Sequence, residues 1–215
     1  KRDGIDFNLT YIPPTFNAVH TEEFGTAYMR ALYDVGFEAA RTLVAKGARR
    51  LALLGARPLP PRDSWSSLLA SSATEPDVAA RLRRVLELEQ AGAQVALYHG
   101  LLSDEPRLAA FFSSTRKRLG AIAGVIHCAG IVSQRPPSFS QKSIEDMRRV
   151  WEPKVRGLIV LSEVLRADAP DFFLLYSSVS AAVPSLAVGM ADYASANGFL
   201  DAFAAYHAGK SRTRF

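Results

Sequence analysis

The sequence predicts an α/β protein whose parallel sheet is covered by helices on both faces. Three observations predict it. From about Gly36 onward, segments with helical apolar spacing alternate with short apolar runs. Those runs are continuous rather than alternating in and out, as strands buried on both faces require. Each is bounded by glycine or by a polar loop.

The elements follow in order. Residues 36–46 place Phe37, Ala40, Leu43 and Val44 on one helical face, and Gly47 ends the helix. Residues 51–55 (Leu-Ala-Leu-Leu-Gly) fit a buried strand, and residues 58–74, rich in Pro and Ser, read as a loop. A charged amphipathic helix is expected from Asp77 to Ala91, a strand from Gln94 to Tyr98 and a helix from Glu105 to Leu119. A strand from Ala121 to Cys128 precedes one long helix, Ser143 to Ala167, opened by a Ser143-x-x-Asp146 capping pattern. Phe172 to Tyr176 is the next strand and Ala191 to Ala208 the final helix. Residues 1–25 do not fit the alternation, and Pro13-Pro14 breaks any helix there, so they read as an extended arm or the remnant of a structural subdomain. Residues 26–215 form the main domain.

Bulk properties narrow the function. The 215 residues are 48% apolar and 22% charged, enough for one real core. Twenty-six basic against 21 acidic side chains leave a mild +5. The arginine clusters lack interleaved aromatic residues, which argues for solvated helix faces rather than a nucleic-acid surface. No apolar run reaches the ~20 residues that span a bilayer, and the first residues lack the apolar core of a signal peptide, so a cytoplasmic protein is expected. Cys128, the single cysteine, reads as a buried inert thiol. No metal-ligand pattern is present.

In an open parallel sheet ligands bind beyond the carboxyl ends of the strands, so the loops after Gly55, Tyr98, Cys128 and Tyr176 should share one rim. Ser177 and Ser178 enter that rim as their strand ends. Tyr193 and Asn197 stand one turn apart on the final helix. Hydroxyls of this kind can hold a carbonyl oxygen while a phenol supplies a proton. A phenol titrates near ~10, so it needs a cation beside it, and Lys154 on the preceding helix is the candidate. An ordinary serine turn and an amphipathic core tyrosine would give the same spacing.

Four ordered motifs carry a resemblance: Val125-Ile-His-Cys-Ala-Gly130, Glu152-Pro-Lys-Val-Arg-Gly157, Phe172 to Ala181, and Asp192-Tyr-Ala-Ser-Ala-Asn-Gly-Phe-Leu-Asp201. Together they resemble the ketoreductase domains of modular polyketide synthases, which are short-chain dehydrogenase/reductase folds. The resemblance implies a Rossmann-like doubly wound parallel sheet. It also implies NADPH-dependent reduction of a β-ketoacyl thioester, held on the phosphopantetheine arm of an acyl carrier protein among neighbouring synthase domains. Neither nucleic acid nor membrane is an expected partner. By the same resemblance Tyr193 is the proton donor, Lys154 its electrostatic partner, Asn197 the organiser and Ser178 the serine. Ser180 is the alternative, because the loop to Tyr193 is longer than in most relatives. Gly36, Arg57, Ala129 and Gly130 fall on the cofactor side.

The sequence departs from the family pattern on that side. Where the first strand and turn should carry a glycine-rich run, the chain reads Met29-Arg-Ala-Leu-Tyr-Asp-Val-Gly36. Arg30 and Asp34 replace glycines, and Tyr33 adds bulk where backbone must approach a pyrophosphate. Arg57 falls one place late for a 2′-phosphate, and after the third family strand Asp104 is too late for an adenine contact. The first βα turn is therefore altered, and the C-terminal strand and lid are missing. Three functions remain open: an NADPH-dependent reductase, a cofactor-independent epimerase, and an inactive structural or docking pseudo-ketoreductase.

Overall fold

Strand β1 (Arg50–Gly55) pairs in parallel with β2 (Gln94–His99), in register from Arg50↔Gln94 to Gly55↔His99. Strand β3 (Gly124–His127) pairs in parallel with β4 (Phe172–Leu175), from Gly124↔Phe172 to His127↔Leu175. The computed structural model describes residues 37–132, 139–210 and 212–215. The expected arm at residues 1–25, the altered turn with Arg30 and Asp34, and Gly36 lie outside the described residues. Glycine at position 124 makes room for the Phe172 ring: a Cβ there would stand 2.3 Å from its Cε1 and force the ring to move.

Helix α1 (residues 37–45) precedes β1. Helices α2 (Trp65–Ala70) and α3 (Pro76–Gln90) connect β1 to β2, and α4 (Glu105–Leu119) connects β2 to β3. Helices α5 (Ile144–Trp151) and α6 (Gly157–Val164) lead to β4, and α7 (Ala191–His207) follows it. Period-two alternation in β1 buries both faces. Leu51 and Leu53 pack with Val44 and Leu88 on one side. Ala52 and Leu54 join Leu108, Phe112, Leu158 and Phe173 on the other, where Val125 and Leu175 meet the same cluster. One apolar layer thus underlies both strand pairs, and each buried leucine in it contributes about 2 kcal/mol.

The caps follow the expected chemistry. The Asp104 carboxylate accepts from Arg107 N at 3.3 Å and opens α4. Ser143 Oγ accepts from Asp146 N at 3.0 Å, the N-cap bond its spacing predicts, and donates to Asp146 Oδ2 at 2.7 Å.

Three expectations are corrected. The segment 58–74 is not all loop: a 3₁₀ turn (Arg62–Ser64) runs into α2. Trp65 drives this, being 4% exposed against Leu82 and Val85, with Nε1 donating to Pro60 O at 2.9 Å. The long helix is interrupted by a π-turn (Glu152–Arg156), because Pro153 has no N–H to continue the ladder. Cys128 is exposed as a residue rather than buried, since β3 ends at His127, although burial around the thiol still pushes its pKa up.

At the C-terminus, Arg214 makes an isolated parallel bridge to Phe172, and Phe173 N donates to Arg214 O at 2.7 Å. Phe215 then stacks on Phe173 with ring centroids 5.2 Å apart.

Candidate active site

The carboxyl ends of the strands lie side by side within each pair. Gly100 N donates to Gly55 O at 3.1 Å, and Tyr176 N donates to His127 O at 3.0 Å. The second of these junctions adjoins the residues singled out in the sequence. The π-turn turns Lys154 inward, where it is 3% exposed, and Nζ donates to Tyr176 O at 2.8 Å. Nζ lies 5.9 Å from the centroid of the Tyr193 ring. Burial pulls the Lys154 ammonium down to about 8. Gly130 leaves room for the lysine, because a Cβ would sit 2.8 Å from Lys154 Cε and push that side chain aside.

Tyr193 is 5% exposed and packs with Val150, Met190 and Ala196. Asn197 is fully buried one turn along, and its Nδ2 donates to Tyr193 O at 2.8 Å. Its Oδ1 has no hydrogen-bond partner among the described residues. Ser177 Oγ donates to Asn197 O at 3.3 Å, which ties the end of β4 to α7. Ser178 and Ser180 form a couple of their own. Their hydroxyls are 2.9 Å apart, and Ser178 Oγ also accepts from Ser180 N at 3.3 Å. Ser178 is half-buried and Ser180 is 2% exposed, so Ser178 is the more accessible of the two.

The structure thus brings Lys154, Tyr193 and Asn197 together and places Gly130 against Lys154. Ala129 packs partly buried against the main core. Arg57 stands apart at the end of β1, its side chain 79% exposed and paired with Asp77 at 3.4 Å.

Two supports were not read from the sequence. Lys142 and Asp192 form a buried ion pair immediately before Tyr193. Trp151 Nε1 donates to Asp192 O and Ser195 Oγ, both at 3.0 Å. His127 is the other: 3% exposed, its Nε2 is 3.0 Å from Pro153 O, and burial, aided by the Lys154 charge, lowers its pKa to about 4.

Fit to a nicotinamide dinucleotide divides along the rim. Beyond β3, Lys154 and the orphaned Oδ1 of Asn197 supply polar atoms of the kind a ribose–nicotinamide end uses, with Gly130 against the lysine. The residues that the sequence offered for the adenosine end have other partners: Arg57 makes an exposed pair with Asp77, and Asp104 caps α4. Nearby, Arg107 Nη2 donates to His99 O at 2.9 Å.

Two parallel strand pairs flanked by helices, with Lys154, Tyr193 and Asn197 gathered at the end of one pair, match a short-chain dehydrogenase/reductase fold. The family model described as "KR domain" matches residues 31–213. The chain belongs to this family, the ketoreductase domains of polyketide synthases. It is 45% identical over 177 residues to polyketide synthase PksL of Bacillus subtilis, covering 82% of this chain and 4% of that protein. It is 41% identical over 177 residues to 6-methylsalicylic acid synthase of Aspergillus terreus, covering 79% of this chain and 9% of the relative. The chain therefore spans only a small part of these curated relatives. Among solved structures, a ketoreductase domain from the bacillaene assembly line aligns with a TM-score of 0.67 at 29% identity, covering 84% of this chain and 39% of that one. An N-terminal ketoreductase from the macrolactin assembly line gives 0.68 at 27%, covering 84% and 33%.

Proposed function

We propose that this domain moves a proton on a β-ketoacyl thioester delivered by an acyl carrier protein, and that its hydride-transfer half is impaired. The observation that carries this reading is Lys154. A buried ammonium is held beside the Tyr193 ring, on a turn whose Val155 packs into the same cluster as Tyr193. Such a cation lowers the cost of phenolate formation, which lets Tyr193 act near neutrality. In a proton shuttle the phenolate oxygen takes the α-proton of the substrate. The electron pair of that C–H bond moves toward the β-carbonyl oxygen, held by the Ser178 hydroxyl. Return of the proton to either face of the α-carbon exchanges or epimerises the centre, with no net redox change. Asn197 fixes the helical turn that carries Tyr193.

NADPH supplies hydride to the β-carbon in family members that reduce, and Gly130, Lys154 and Asn197 would meet its nicotinamide end. The altered sequence at Arg30 and Asp34 and the engaged Arg57 and Asp104 argue against the other end. The test is a fluorescence titration with NADPH, together with an α-deuterated 2-methyl-3-oxoacyl pantetheine thioester. Deuterium loss above the buffer rate, absent in Tyr193→Phe and unaffected by NADPH, supports the proposal. Micromolar NADPH binding with turnover would restore the reductase reading. Neither signal would leave a docking or structural domain.

A further inference from the structure

We infer that His127 is the positioning residue for Lys154: its neutral Nε2–H imidazole caps the Pro153 carbonyl that the π-turn releases, and so fixes the turn from which Lys154 projects. The backbone shows why a cap is needed. In an unbroken helix Gly157 N would donate to Pro153 O. Here it donates to Glu152 O, five residues back, so Pro153 O loses that helical donor. Pro153 is buried, so water is a poor substitute, and an unpaired buried carbonyl is costly. His127 Nε2 reaches it at 3.0 Å from the last residue of β3.

A carbonyl only accepts, so Nε2 must carry the proton. Nδ1 then keeps a bare lone pair, in agreement with its burial without a hydrogen-bond partner among the described residues. A charged ring would place a second buried cation near Lys154, and the lowered pKa of His127 agrees with a ring that stays neutral. The turn has two further outside supports. Glu152 Oε1 accepts from Ser103 N at 3.1 Å, and Gly157 packs so closely that a Cβ would stand 2.7 Å from Leu102 Cβ. The end of β3 therefore holds Lys154 from two sides, through His127 on its turn and Gly130 on its side chain. The groups that act electrostatically on Lys154 are Cys128, Asp201 and His127, with the Tyr193 ring beside it.

The inference rests on Lys154 being the cation of the Tyr193 site, but its readout is the ammonium itself, so it is decided without turnover. The experiment follows the pH titration of the lysine ¹³Cε resonances in the full chain, with Lys154 assigned by its loss in Lys154→Met. The wild type should show a midpoint about 8. His127→Leu removes the donor and should move the midpoint toward the ordinary lysine value by about one pH unit or more. His127→Gln keeps an N–H at the position of Nε2 and should restore the wild-type midpoint. A folded His127→Leu protein that still titrates like the wild type would overturn the inference, as would a His127→Gln protein that behaves like His127→Leu. Should His127→Leu fail to fold, the ring ¹⁵N shifts of the wild type decide. A protonated Nε2 with a bare Nδ1 is required near neutral pH, and a protonated Nδ1 refutes the cap.

Discussion

Nζ of Lys142 lies 2.5 Å from Oδ1 of Asp192, and each side chain is only 1% exposed. The pair joins the segment before α5 to the first turn of α7, one residue ahead of Tyr193. Trp151 reinforces it by donating to Asp192 O. Desolvating two charges offsets most of their attraction, so such a pair contributes geometry more than stability. The carboxylate also sits at the N-terminal end of a helix, where the macrodipole favours it.

Asp192→Asn should therefore destabilise the chain by about 3 kcal/mol or more, because it leaves the Lys142 ammonium buried and unpaired. The double variant Lys142→Met/Asp192→Leu should recover most of that loss, because no charge is then stranded. Urea unfolding of the singles and the double closes the cycle. A double variant no more stable than Asp192→Asn would show that packing, not charge, is at stake.

Lys154 illustrates a conflict between chemistry and stability. Its folded pKa of about 8 lies below the ordinary lysine value of 10.5. Below pH 8 the ammonium is charged in both states, and burying it costs stability. Between 8 and 10.5 the unfolded chain binds more protons, so stability rises with pH across that window. Lys154→Met should raise the stability at pH 7 by about 1–3 kcal/mol and gain less near pH 10. It should also abolish α-proton exchange. Denaturation at the two pH values checks the first claim, and deuterium washout checks the second.

His127 titrates in the opposite pH range. Its folded pKa of about 4 lies below the ordinary 6.5 because of burial. Above pH 6.5 the neutral ring carries no penalty. As pH falls from 6.5 to 4 the unfolded chain takes up a proton that the folded one refuses, so stability is lost, up to roughly 3 kcal/mol. His127→Gln should remove that part of the acid sensitivity and leave the remainder to the carboxylates. Parallel acid titrations of the two proteins would reveal the difference. Superimposable curves would contradict it.

Much of this was legible in the sequence because periodicity reports burial. The four strands and helices α3, α4 and α7 fall where the apolar runs and caps put them. Ser143 and Asp146 announced their helix start because capping is local chemistry. What stayed illegible depends on partners far along the chain. Trp65 makes helix from a segment rich in Pro and Ser, because it buries itself against α3. Pro153 was visible inside a helical pattern, but the π-turn it produces depends on contacts from β3 and from the β2–α4 loop. Cys128 looked buried because its apolar neighbours hid the fact that the strand stops one residue earlier. The tyrosine, the lysine and the asparagine were found by their motifs. The pair of charges that braces them was not, because nothing in a lysine and an aspartate 50 positions apart signals contact.

The pairing of Arg116 with Asp168 is a separate brace, and it differs from the Lys142 pair in exposure. The Asp168 side chain is 2% exposed and that of Arg116 is 31% exposed. Arg116 Nε lies 3.0 Å from both carboxylate oxygens, Nη2 lies 2.5 Å from Oδ2, and Nη2 also donates to Val164 O at 2.8 Å. Asp168 Oδ1 accepts in addition from Ile122 N at 3.2 Å, so the carboxylate ties α4, the end of α6 and the entry to β3 together. Burial alone would raise its pKa, but the hydrogen bonds from Arg116 and Ile122 outweigh that and hold it below the usual carboxylate range. Its stability contribution is therefore present above the ordinary value of 3.8 and disappears as pH falls through the folded pKa. Asp168→Ala should cost about 2 kcal/mol, less than a fully sealed pair because water reaches the guanidinium. Asp168→Asn keeps an acceptor for Ile122 N and should cost about half of that. Thermal unfolding at neutral pH orders the variants, and their gap to the wild type should narrow as pH falls below 3.8.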